Sequence, residues 1–156
     1  MQNEIQQILD QLQDVFDGDP WFGRPVACIL REVKEEIVFE KPAGQHSILE
    51  LVWHMGIWRR FTISRLQPTG ETLHYFEEND WTNLDHSDKG LWQQALQQLY
   101  QTQTELLRLL KSLNDSVLEQ TVPERAYNYR KLLNGIIQHD IYHLGQIAYL
   151  HKLLSQ

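Results

Sequence analysis

The sequence predicts an all-α protein, an antiparallel four-helix bundle with a long loop after the second core helix. Apolar residues recur at helical spacing over four segments of the 156-residue chain. Strand-type alternation is nowhere sustained. Gly18-Asp19-Pro20, and Pro68 with Gly70, break the chain between segments. Four helices of this length suggest an antiparallel bundle.

The first segment, 4–16, places Ile5, Ile8, Leu9, Leu12, Val15 and Phe16 along one face. A shorter helical piece is expected from Pro25 to about Glu35, and Lys41-Pro42-Ala43-Gly44 reads as a loop. Ser47-Ile48-Leu49-Glu50 is a capping box: the Ser47 hydroxyl accepts from the Glu50 amide, and Glu50 reaches back. The helix it opens runs to about Leu66, with Leu51, Met55, Trp58 and Phe61 or Thr62 on one stripe. Residues 67–87, which include His74, Trp81 and His86, show no period and are expected to form a loop. Loops of that length in a small domain are often functional. Ser87 or Asp88 is expected to cap the next helix, about 88–113, whose buried side is Leu91, Ala95, Leu99, Leu106, Leu110 and Leu113. A connection containing Pro123 leads to the last helix, about 128–154. Leu132, Leu133, Ile136, Ile137, Leu144, Ile147 and Leu154 recur along it.

Length and composition point to one domain, residues 1–156. With 42% hydrophobic and 22% charged residues, disordered and fibrous chains are excluded. No apolar run is long enough to span a bilayer, and the first residues lack the features of a secretory leader. Cys28 is the lone cysteine, so no intrachain disulfide and no cysteine zinc site is expected, and a cytoplasmic location fits. The net charge of −7 argues against a nucleic-acid partner, and Arg59, Arg60 and Arg65 are too few for a phosphate-binding stripe.

The chemistry is carried by histidines, seven in all. His139 and His143 stand four apart on the inward stripe of the last helix, so both imidazoles share one face. Two polar rings then occupy core positions and need partners. Roughly 0.3 such pairs arise by chance at this histidine content, so the spacing by itself is unspecific. His54 adds to it, lying between Leu51 and Trp58 on the inward stripe of the second core helix. Three neutral imidazoles leave open coordination positions, as in catalytic zinc sites, and also suit nickel, iron or copper. His46 lies about 12 Å from His54 at helical rise, too far to share an ion. His74, His86 and His151 are expected to be exposed. Glu50 is a candidate general base beside its capping role. Trp58, Tyr142 and Gln146 are candidate pocket residues, with core packing the simpler reading for the aromatics. Asp140 is expected to point away from the histidine pair.

Gly44-Gln45-His46-Ser47-Ile48 followed by Glu50-Leu51-Val52-Trp53-His54-Met55 resembles the second-helix motif of the DinB-like family. Gly135-Ile136-Ile137-Gln138-His139-Asp140-Ile141-Tyr142-His143-Leu144-Gly145-Gln146-Ile147 resembles its last-helix motif, and Asp19-Pro20-Trp21-Phe22-Gly23 is similar to its opening segment. This family is distinct from the DNA polymerase that shares its name. The resemblance implies a four-helix bundle, a divalent metal (zinc or nickel) on His54, His139 and His143, and often a homodimer. It also implies transferases or isomerases that use low-molecular-weight thiols such as bacillithiol or mycothiol, with some proposed hydrolases. Mycothiol-dependent isomerase relatives carry an additional C-terminal domain, so that activity is not expected here. The expectation is a metal-dependent thiol transferase acting on a small molecule. The alternatives are a metal-dependent hydrolase, a non-catalytic stress-related metal-binding protein, or a plain bundle with hydrogen-bonded core histidines.

Overall fold

The computed structural model describes residues 3–156 and is all-α, with six α-helices and no named strand among the described residues. Helix α1 (Glu4–Asp17) starts where the Asn3 side chain accepts from the Gln6 amide at 2.9 Å. The Asp115 carboxylate accepts from the next two free amides, those of Glu4 and Ile5, at 3.0 Å each. These contacts satisfy donors that a helix start leaves unpaired. The α1 face of Ile5, Ile8, Leu9, Leu12, Val15 and Phe16 is buried. A short α2 (Val26–Glu32) and two single 3-10 turns lead to α3.

Helix α3 (Ile48–Leu66) opens on the expected capping box, with both reciprocal bonds between Ser47 and Glu50 formed. It is buried around most of its circumference, so it is a central rather than an amphipathic helix. Two long helices pack against it, α5 (Gly90–Lys111) and α6 (Tyr129–Leu154), and α1 packs on the same pair. Gly56 permits the close approach of α5: a Cβ there would lie 3.0 Å from the Gln98 side chain.

Residues 67–87 are not wholly irregular. They contain α4 (Leu73–Glu78), capped by Thr72 and anchored by the fully buried Phe76. Phe76 joins Ile57, Phe61, Val122, Tyr129 and Leu132 in a second, smaller apolar cluster. One buried aromatic is enough to hold a segment too short to show a helical period. The expected cap of α5 is displaced: Lys89 is the N-cap residue and makes no side-chain cap bond, while Asp88 accepts from the Gly90 amide at 2.9 Å. The connection after α5 likewise holds a 3-10 segment, Asp115–Glu119.

Arg59 is fully buried. Its guanidinium donates to Gln103 of α5 at 2.6 Å and to the Asp140 carboxylate of α6, and Gln103 donates onward to the Leu12 carbonyl of α1. All four long helices are therefore tied through one buried charge. Arg59 and Arg65 are both buried and offer no basic surface. No helix among the described residues is long and apolar enough to cross a membrane.

Candidate metal centre

Helix α3 delivers His54, and α6 delivers His139 and His143 one turn apart. One ring nitrogen from each lies within 4.8 Å of the other two, and the ring centroids are 4.5–4.8 Å apart. The Asp140–Arg59 pair, next to His139 in the chain, fixes the register of α6 against α3. Asp140 does not join the histidines; its carboxylate is committed to Arg59.

Partners assign two tautomers. His54 Nδ1 is hydrogen-bonded to the Asp80 carboxylate, and His143 Nδ1 donates to Gln146 Oε1 at 2.6 Å. Each leaves a lone pair on Nε2. Burial, reinforced by the neighbouring imidazoles, pushes His54 and His139 down to a pKa of about 3, and burial lowers His143 as well. All three rings are therefore neutral near pH 7, and the His54–Asp80 contact is a hydrogen bond rather than an ion pair.

His139 has no such solution. Its Nε2 lies 2.8 Å from His54 Nε2, and its Nδ1 is buried without a partner. A proton on Nε2 leaves Nδ1 a bare buried acceptor. A proton on Nδ1 leaves a buried unpaired donor and sets two lone pairs against each other. Either state carries a buried deficit. A cation between the rings would remove the lone-pair conflict of the second state, with Nδ1–H still unpartnered. Three neutral imidazoles at this separation are the donor set that would hold such an ion. The donor set thus fits a divalent ion that accepts imidazole.

The segment after α4 closes over His54. Asp80 also accepts from Trp58 Nε1 at 2.9 Å, which locks its carboxylate. The Trp81 indole stacks on His54 at 3.9 Å and on His46 at 3.8 Å. His46 is thus linked to the histidine group through an aromatic ring, although it is not a member of it. Glu50 sits at the head of α3, where its carboxylate takes the Ser47 amide at 2.9 Å and Lys41 at 2.8 Å. His46 and His86 lie 3.3 and 3.4 Å from it. His86 is therefore half-buried rather than exposed. Burial works to raise the Glu50 pKa, but Lys41, the Ser47 amide and His46 outweigh it and hold the carboxyl below its ordinary value. His74 is exposed beside Glu78, and His151 lies near Ser155.

Two cavities lie close by: Gln146, the partner of His143, lines one, and His139 itself lines the other. One, of about 570 Å³, is lined by His46, Leu51, Tyr142, Gln146, Tyr149 and Leu153 among others. The second, of about 240 Å³, includes Trp58, Tyr127, Lys131 and His139 in its wall. The three sequence-derived pocket residues are thus divided: Tyr142 and Gln146 line the first, and Trp58 lines the second.

The family model for the DinB superfamily matches residues 24–147. The chain belongs to the DinB superfamily. The match includes α3 and the part of α6 that bears His139 and His143, so the DinB assignment and the histidine cluster rest on the same two helices. No curated protein and no solved structure matches the chain at a significant level. In this DinB chain the partners missed from sequence are Asp80, Trp81 and the Arg59–Gln103 pair. Only Arg59 left a signal, as a charged residue within the apolar surround of α3.

Proposed function

We propose that this DinB protein binds one divalent ion, zinc or nickel, through His54, His139 and His143, and that it is a thiol-dependent transferase acting on a small electrophile. The observation that carries the metal reading is the convergence of three neutral imidazoles, one ring nitrogen from each of His54, His139 and His143 lying within 4.8 Å of the other two. Neutral ligands leave the ion its full positive charge, and such an ion lowers the pKa of a thiol or water placed on it.

The chain's own residues supply the rest. Asp80 and Gln146 hold His54 and His143 in the tautomers that present Nε2 inward. Trp81 covers the His54 ring. The larger cavity, with apolar walls and the Gln146 amide beside His143, has the size of a small-molecule site. The four long helices are read as the antiparallel bundle that carries these groups. A small-molecule substrate and a second copy of the chain are the partners this reading assigns.

Hydrolysis draws less support. It assigns the general base to Glu50, whose carboxylate is already engaged by Lys41 and the Ser47 amide and is held in its weakly basic form. The deciding experiment is turnover of an electrophilic model compound with a panel of low-molecular-weight thiols, with and without chelator. A metal-dependent rate with one of the thiols is expected. Absence of such a rate with every thiol, alongside ester hydrolysis that Glu50→Gln abolishes while metal stays bound, would overturn the transferase reading.

A further inference from the structure

The smaller cavity, of about 240 Å³, is not used by the transferase reading above. Its walls are Trp58, Phe61, Tyr127 and Ile136, with Lys131 and His139 also lining it. The chain is acidic overall, yet Lys131 in this wall and Arg125, which stands behind its aromatic rings rather than in the lining, lack carboxylate partners. The Arg125 guanidinium lies 5.7 Å from the Trp58 ring centre, 5.3 Å from Phe61 and 5.9 Å from Tyr127, three rings of this cavity wall. Its Nε is buried with no hydrogen-bond partner. Lys131 Nζ lies 5.6 Å from the Tyr127 ring centre. Among the described residues no Asp or Glu forms an ion pair with either, whereas Arg24, Arg108 and Arg130 each meet a carboxylate.

We propose that this cleft binds a small carboxylate with a single-ring apolar body, its anion read by Arg125 and Lys131 and its ring by Trp58, Phe61 and Tyr127. Charge selects the occupant: a planar guanidinium whose terminal N–H groups meet no carboxylate is the group that matches one. Size suits it: a cavity of about 150 Å³ takes benzene, so this one has room for one ring and its carboxylate. His139 belongs to both the cleft wall and the histidine cluster, so a bound acid lies beside the centre. Its standing as a substrate site rests on the metal reading; binding itself does not.

The test is calorimetric titration of the full chain with benzoate, with neutral benzamide and cationic benzylamine as comparisons, in zinc-free and zinc-loaded protein. Benzoate is expected to bind at least about tenfold tighter than either comparison in both states. Lys131→Gln and Arg125→Gln are each expected to weaken it about tenfold. Lys131 is exposed, so its variant decides even if the Arg125 variant fails to fold. Equal binding of benzoate and benzamide would overturn the proposal. So would benzoate binding that needs zinc and survives both substitutions, since the carboxylate would then sit on the metal. A protein that takes up no zinc would remove the metal reading, while the zinc-free titration would still decide the cleft.

Discussion

Asp80 gives the sharpest single-residue prediction. Its carboxylate accepts from His54 Nδ1 and from Trp58 Nε1, so it fixes both the tautomer and the orientation of one proposed ligand. Replacing such a partner of a metal-bound histidine lowers metal affinity about 10–100-fold, or roughly 1.4–2.8 kcal/mol. Asp80→Ala removes both bonds and should fall in that range. Asp80→Asn keeps an oxygen acceptor and loses only the charge. A hydrogen bond to a charged group exceeds a neutral one by about 1 kcal/mol, so Asn should cost roughly fivefold. Competition for zinc against a chromogenic chelator measures both. Thermal unfolding in chelator separates any loss of the metal-free fold. The order wild type, Asn, Ala is the result expected. Wild-type zinc affinity in Asp80→Ala would refute the reasoning, because the hydrogen bond to His54 would then do nothing for the site.

Other perturbations test the frame around it. Arg59→Met strands the fully buried Asp140 and should cost about 3–5 kcal/mol, a melting decrease of about 6–20 °C. Arg59→Met with Asp140→Leu should recover most of that loss, and a double variant as unstable as the single one would contradict the account. Glu50→Gln should lower stability at neutral pH without loss of metal. The folded Glu50 pKa is depressed, so its contribution is full above the unfolded value near 4.3 and is lost as pH falls through the folded value. Denaturant titrations of wild type and Glu50→Gln should therefore converge in acid, and a gap that persists at low pH would show that Glu50 acts through packing alone.

The helices were legible because burial leaves a period. The α1 stripe and the apolar rows of α5 and α6 were readable from spacing, and the Ser47–Glu50 cap from residue type. The histidine cluster was legible for the same reason, since His54, His139 and His143 interrupt apolar stripes on long helices. Asp80 and Trp81 were not, because the segment that carries them has no period and is placed by long-range contacts at Phe76, His54 and Trp58. His46 shows the limit of distance along a helix axis. It precedes the α3 cap, and it reaches His54 through Trp81 rather than through the backbone. Arg125 left no trace in sequence, since its isolation from carboxylates exists only in three dimensions.

Metal content tests the central claim most directly. Tag-free protein, as purified and after zinc or nickel reconstitution, would be analysed by mass spectrometry beside His54→Ala and His139→Ala. About one divalent ion per chain in the native protein, lost in both variants, is the result expected of a three-histidine centre. No metal in the native chain after reconstitution, or full occupancy in either variant, would contradict it.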